Sequence, residues 1–322
     1  MKALVTGGTG FIGSHLAEAL AAAGVEVQAL VRDPRRLKFL AGVKAHILEG
    51  DLHSVPRLPP DLDWVFHVAG LTKALKKEDY YSVNQKGTAS LLDSLAEQGL
   101  RPKIVLLSSL AAAGPSGEKP GRREDEPSAP VSPYGRSKLA GEVEALARRD
   151  RFPLAILRVG AVYGPRDSDF LEFFRIVNKG WLPVFGRRPR TMCVCYVADL
   201  VRALVATART EVENGAVFNI GDARPSDFEE IGLAAARILG RRVRRVVVPL
   251  PVVGAAAFLS GGWSRLTGKP TAVNRHKYRE LRQAGWVADV NKAKAVLGFE
   301  TTTTLEAGLK AALDWYQARG LL

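Results

Sequence analysis

The segment Thr6-Gly-Gly-Thr-Gly-Phe-Ile-Gly13 constrains this chain more than any other stretch. It follows a short apolar run, Ala3-Leu4-Val5, and opens an amphipathic stretch that reaches about Ala23. Glycines at 7, 10 and 13 let the chain turn tightly, let the backbone approach a pyrophosphate and let a helix pack closely on a strand. The phosphate then meets a helix N-terminus whose first N–H groups have no partner. This order of strand, glycine turn and helix predicts a dinucleotide site contacted by Gly7, Thr9, Gly10, Phe11, Ile12 and Gly13.

Short β-branched runs continue at 25–31, 45–49, 64–68 and 103–108, with helical patterns between the later ones. Such alternation builds βαβ units and a parallel sheet covered on both faces, and the uniformly apolar 104–107 suits a central strand. The expected fold is a doubly wound (Rossmann) α/β sheet with a smaller, mainly helical C-terminal substrate lobe. The dinucleotide-binding domain is expected over residues 1–165, with 191–222 returning to it, and the substrate lobe over 166–190 and 223–322. Residues 167–190 read as loop, helix and loop. Residues 80–98 and 134–149 read as two long helices of the sheet layer, and 304–319 as a final helix with Thr304 as N-cap.

At 322 residues the chain buries a sizeable core without disulfides, and its two cysteines, Cys193 and Cys195, read as buried small hydrophobes of a reducing cytoplasm. Met1 leads almost directly into the first apolar run, without the pattern of a secretory signal, so a cytoplasmic location is expected. The longest apolar stretch, 252–259, is too short for a bilayer span; with Trp263 and Trp181 it reads as lobe core or as the lining of an apolar pocket. Lysine and arginine outnumber aspartate and glutamate 46 to 33, a net +13 that attracts anions. The arginines are scattered, with no aromatic interleaving or zinc spacing beside them, so no nucleic-acid partner is expected. Histidines 15, 46, 53, 67 and 276 have no metal-ligand spacing, so no metal is expected.

Cofactor choice is set where the second strand ends. An acidic residue there holds a ribose 2′-hydroxyl, and an arginine accepts a 2′-phosphate. This strand ends Val31-Arg32-Asp33, with Arg35 and Arg36 behind. Arg32 favours NADP, while Asp33 keeps NAD open.

Ser132-Pro-Tyr134-Gly-Arg-Ser-Lys138 begins another helix, with Ser132 as N-cap and Pro133 in the first turn. Tyr134 and Lys138 lie one turn apart on the same face. A free phenol titrates near pH ~10; a neighbouring ammonium and an oxidised nicotinamide stabilise the phenolate, which makes tyrosine a usable general base.

Taken together, the glycine loop, the strand ending Ser108-Ser109 and the Tyr-x-x-x-Lys pair resemble the extended short-chain dehydrogenase/reductase superfamily over essentially the whole chain. The likeness extends in feel to hydroxysteroid-dehydrogenase-like and flavanone-reductase-like members. The resemblance implies that Asp51 and Leu52 meet the adenine, that Val68, Ala69 and Gly70 line the cofactor, and that Asn84 supports the active site. It places Val159, Gly160 and Val162 under the nicotinamide and makes Ser109 the residue that orients the substrate oxygen. Tyr134 and Lys138 are then both catalytic and cofactor-binding, with Lys138 lowering the tyrosine pKa and holding the cofactor ribose. A homodimer is a family expectation.

Two enzyme readings share this machinery. The first is NAD(P)-dependent interconversion of a secondary alcohol and a ketone; the alternative is transient oxidation within a nucleotide sugar by an epimerase or dehydratase. Three features favour the first. The loop between Gly70 and Asn84 is short, Arg32 suits NADP, and Met192 stands where sugar-nucleotide epimerases carry an arginine, with Arg190 nearby as a substitute. The segment 162–167 and the basic lobe favour the alternative. A third reading, a non-catalytic dinucleotide sensor, conflicts with an intact Ser109, Tyr134 and Lys138.

Overall fold

The computed structural model describes residues 1–117, 121–186, 188–267 and 275–322, with the backbone alone at 259, 261–267, 275 and 276. The strands are β1 (Lys2–Thr6), β2 (Glu26–Val31), β3 (Ala45–Glu49), β4 (Trp64–His67), β5 (Lys103–Ser109), β6 (Leu154–Val159) and β7 (Ala161–Tyr163). They continue with β8 (Trp181–Phe185), β9 (Thr191–Met192), β10 (Val194–Tyr196), β11 (Ala216–Ile220), β12 (Arg244–Val248) and β13 (Gly285–Trp286). The helices begin with α1 (Phe11–Ala22), α2 (Lys77–Tyr81), α3 (Gly87–Glu97), α4 (Leu110–Ala113), α5 (Pro133–Leu146) and α6 (Asp169–Asn178). The second half adds α7 (Val197–Arg209), α8 (Phe228–Ile238), α9 (Leu250–Thr267), α10 (Arg275–Leu281), α11 (Asn291–Leu297) and α12 (Leu305–Ala318).

Seven strands form one sheet in the order β11-β6-β5-β4-β1-β2-β3, and every pair in it is parallel. This is the doubly wound Rossmann arrangement. Its strands are apolar on both faces because helices cover both: Ala3 and Val5 belong to one core cluster, with Leu16 and Leu20 of α1, while Leu4 belongs to the other, with Leu91 and Leu95 of α3. Strand order reverses between β1 and β4, and the crevice at their carboxyl ends is where such sheets receive ligands.

A second core lies apart from the sheet. Phe170, Phe173 and Phe174 of α6 pack with Leu182, with Ile231 and Ala235 of α8, and with Leu309 and Tyr316 of α12. The amphipathic period of α6 and α8 accounts for this, since their apolar residues recur every three or four positions. Thr304 caps α12 as its sequence indicates, accepting from Ala307 N at 3.2 Å.

Two elements differ from the sequence reading. Residues 80–98 are not one regular helix, because a π-helical turn at Ser82–Lys86 separates α2 from α3. Residues 167–190 contain a strand, β8, which pairs with β12. That partner is distant in sequence, so no local pattern signals the pairing. Leu259 and Trp263, placed in the apolar stretch above, have side chains outside the described residues, and Trp181 is exposed rather than core. No helix among the described residues is long and apolar enough to cross a membrane.

Candidate active site

The turn after β1 is built as the glycines require. Gly7 has φ +74°, a region that side chains rarely enter, and a methyl there would lie 2.9 Å from the Ala69 backbone. The β1 turn therefore touches the loop after β4. A methyl on Gly13 would run into the Gly7 carbonyl, so only glycine lets α1 start this close to the strand. Gly10 is the N-cap of α1, with no side-chain cap and no acidic residue in the first turn, which leaves the helix N-terminus open toward an anion. Ile12, Val68 and Val162 pack on the core beneath, Thr9 is half-buried, and the Phe11 ring meets His15 edge-on.

His67 ties this turn to the next helix. Its Nδ1 lies 2.8 Å from Thr6 Oγ1 and its Nε2 lies 3.0 Å from Thr88 Oγ1. Thr88 donates to the Asn84 carbonyl, so its oxygen accepts from Nε2–H, and Thr6 donates to Nδ1. The ring is neutral, because burial and the nearby Lys138 charge push its pKa down to about 3. The sign of the consequence follows directly. Between pH 6.5 and about 3 the unfolded chain binds this proton and the folded chain does not, so His67 costs stability as pH falls through that window. Urea unfolding is expected to show roughly 3–5 kcal/mol lost from this group across it, and His67→Gln is expected to flatten that part of the profile.

Ser132 caps α5 by accepting from Gly135 N at 3.0 Å, and Pro133 occupies the first turn. Lys138 is buried and donates to the Leu107 carbonyl at 2.7 Å; desolvation lowers its pKa to about 8, against the opposing pull of Glu142. Tyr134, with the Ser109 hydroxyl as hydrogen-bond partner, is pushed up to about 12, chiefly by desolvation and also by Glu280, so burial overrides the lowering expected from Lys138. Ser109 ends β5 and caps α4, accepting from Ala111 N at 3.1 Å. The phenol is thus protonated at neutral pH while the ammonium is mostly charged.

Asn84 sits on the π-helical turn, a feature that often marks functional positions. It accepts from Leu71 N at 2.8 Å and donates to the Leu71 carbonyl at 3.0 Å and to Ser137 Oγ at 2.9 Å. A methyl on Gly141 would strike the Asn84 carbonyl, so that glycine brings α5 onto the turn. A methyl on Gly70 would lie 3.3 Å from Asn84 Oδ1 and 3.5 Å from Lys138 Nζ. Ser109, Tyr134, Lys138, Asn84 and Gly70 therefore meet at the carboxyl ends of β4 and β5. Val159 is buried at the end of β6, and Gly160 N bonds the Ile220 carbonyl.

Arg32, Asp51 and Leu52 stand apart from that group, past the ends of β2 and β3. Asp33 is held by Arg35 at 2.9 Å, which keeps its carboxyl below the usual range, whereas Arg32 is exposed with no ion-pair partner among the described residues. Asp51 accepts from His53 N and Ser54 N, fixing its own turn, and Leu52 packs at the margin of the core.

The sequence reading missed three neighbours. Tyr80 lies 6.2 Å from the Tyr134 ring, and its hydroxyl accepts from Ala74 N. Glu142, one turn past Lys138, pairs with Arg158 at 2.7 Å with both side chains buried, and it also accepts from Ser108. Glu280 of α10 bears on Tyr134 from the C-terminal half. Only Glu142 left a local signal, its helical spacing from Lys138. Arg190, the candidate substitute for an arginine at 192, is engaged by the backbone. Its guanidinium donates to the carbonyls of Leu281, Phe185 and Arg188, and Met192 is buried in the second core.

Residues 3–221 match the NAD dependent epimerase/dehydratase family. The chain belongs to that family. A ceramide reductase of Caulobacter vibrioides is 33% identical over 99% of this chain and 95% of its own. MoeE5, solved in complex with UDP-glucose and NAD, is 28% identical with a TM-score of 0.78, covering 100% of both chains. The UDP-glucuronic acid 4-epimerase of Bacillus cereus, solved with UDP-glucuronic acid and NAD, is 25% identical with a TM-score of 0.80, covering 99% of this chain and 100% of its own. This family member is an NAD-dependent type of enzyme. Its relatives include reductases, epimerases and decarboxylases. They lend wider support to the nucleotide-sugar alternative than to plain alcohol–ketone redox, and the solved neighbours name NAD, so NADP as the primary cofactor finds no support from them.

Proposed function

We propose that this enzyme moves a hydride between a nicotinamide dinucleotide and a carbonyl carbon, with reduction of a ketone on a lipid-like body as the working direction. Full-length similarity to a ceramide reductase, which is the strongest identity among the relatives above, carries the substrate class. The buried Met192 supports it, because no guanidinium stands at 192 to meet a sugar diphosphate.

The open N-terminus of α1, the close glycine turn and the Ala69 backbone beside it fit a dinucleotide diphosphate, with Thr9 to Gly13 and Val68 to Gly70 around it. When bound, the nicotinamide supplies or accepts the hydride. Ser109 orients the substrate oxygen, and Tyr134, protonated at neutral pH, donates its proton to that oxygen as it becomes an alcohol. Lys138 stabilises the phenolate left behind, and Asn84 holds the 71–74 loop at the mouth of the site. Residues 166–190 and 223–322 serve as the substrate lobe.

A second reading has its own support. A cleft of about 510 Å³ is lined by Arg188, Arg190 and Arg282 with Gly117, a basic setting for an anionic group such as a nucleotide-sugar diphosphate. Incubation with NADH or NADPH and a long-chain ketone, beside a pool of UDP-sugars, separates the two. Net cofactor oxidation with the ketone is expected. Isomerised sugar with no net change in nicotinamide would overturn the reductase reading.

For the cofactor, NAD is taken as the principal form, with Arg32 allowing NADP to bind. Arg32→Ala is expected to weaken NADPH about tenfold and to leave NADH nearly unchanged in fluorescence titrations. An equal effect on both removes any role for Arg32 at the 2′-position.

A further inference from the structure

We propose that the outer face of α9 docks this enzyme on an anionic lipid surface. This goes beyond the catalytic reading and stands on a different part of the molecule. Over its first three turns α9 buries Val253 and Ala257, which lie one turn apart on a single face. The opposite face carries Pro251, Val252, Ala255, Ala256 and Phe258, all exposed, with Val252 at 55%. Positions 251, 255 and 258 run down one line of the helix, and 252 and 256 lie beside it. A helix at a protein–water boundary ordinarily shows polar side chains on its outer face; this one shows none between 251 and 258.

The strand leading into α9 carries exposed apolar side chains of its own. In β12, Arg244 lies in register with Trp181 of β8, and Val246, two residues on, faces the same way. Trp181 and Val246 are both exposed, at 49% and 39%. Apolar side chains, a half-exposed tryptophan and arginines at the edge form the combination that settles at a lipid headgroup layer.

Charge selects the occupant. Arg241, Arg242, Arg244 and Arg245 stand exposed at the approach to α9. Arg245 is neutralised by Glu229 at 2.8 Å, whereas Arg242 and Arg244 have no acidic partner among the described residues. An anionic leaflet complements them. A second copy of this chain, net +13, would bring the same arginines against themselves in a two-fold contact. A methyl on Gly254 would lie 2.8 Å from the Tyr278 ring, so α9 rests on α10 through the side away from this face.

Flotation of the full chain, without substrate or dinucleotide, tests the surface independently of the reaction. Phosphatidylcholine vesicles containing phosphatidylglycerol are expected to carry the protein, less so as salt rises, and pure phosphatidylcholine vesicles to carry far less. Val252→Asp with Ala256→Asp, and separately Arg242→Glu with Arg244→Glu, are each expected to weaken partitioning by roughly tenfold or more. Circular dichroism melts check folding, and the arginine pair decides the matter if the apolar pair misfolds. Absence from both vesicle types, or equal partitioning by the folded variants, overturns the proposal. So does a concentration-dependent dimer in sedimentation velocity that Val252→Asp with Ala256→Asp abolishes.

Discussion

Tyr134→Phe is expected to lower turnover by about 10²–10⁴-fold while changing dinucleotide affinity little. The hydroxyl is the group the proposed reaction needs, because hydride arrival at a carbonyl carbon leaves an oxygen that must gain a proton in the same step. Desolvation holds the phenol at about pH 12, so at neutral pH it carries that proton. In the proposed reaction Lys138, its pKa lowered to about 8 by burial, supplies the positive charge that makes losing the proton tolerable. Phenylalanine keeps the ring beside Tyr80 and the helix cap at Ser132, so the fold and the glycine turn are left intact. The measurement is steady-state turnover beside a dinucleotide titration on the same preparation. Full activity in the variant would remove the proton role, and loss of dinucleotide binding in parallel would make Tyr134 a structural residue.

The parts of this site that sequence made legible are those in which one short segment contains both cause and effect. The glycine turn is one: Gly10 and Gly13 are demanded by the Gly7 carbonyl of the same turn, whereas Gly7 also answers to Ala69 in a loop distant in sequence. The Tyr134–Lys138 pair is another, since a helical turn brings the two together without help from elsewhere. Apolar runs sufficed for the inner strands of the parallel sheet because both faces of those strands are buried. Other features depend on distant partners. Asn84, which bonds Leu71 and Ser137, stands on a π turn that nothing in residues 82–86 announces. Arg190 looks like a ligand-binding cation in sequence; its guanidinium instead ties together backbone carbonyls at 185, 188 and 281. Arginine therefore gave the least reliable inference here, because one side chain serves an anion, a carbonyl or a carboxylate equally well.

Arg158→Met is expected to cost about 3–5 kcal/mol of folding stability in urea titrations, the largest stability effect of any single change proposed for this chain. The side chain comes from β6 and meets both carboxylate oxygens of Glu142 in α5, donating from Nε to Oε1 at 3.0 Å and from Nη2 to Oε2 at 2.7 Å, with Glu142 only 1% exposed. Removing the guanidinium leaves a carboxylate buried beside Ser108 with its principal counter-charge gone, and the cost of that unpaired charge exceeds what the intact pair contributes. Glu142→Gln combined with Arg158→Met is therefore expected to be more stable than Arg158→Met alone, since neither half of the pair is then left charged. Lys138 lies one turn from Glu142, whose charge pulls its pKa upward against burial. Glu142→Gln should accordingly lower the pH at which activity falls as Lys138 loses its proton. A stability loss under about 1 kcal/mol in Arg158→Met, with the double variant no better, would mean that the pair is solvated in solution and that the chemistry of Lys138 is set by burial alone.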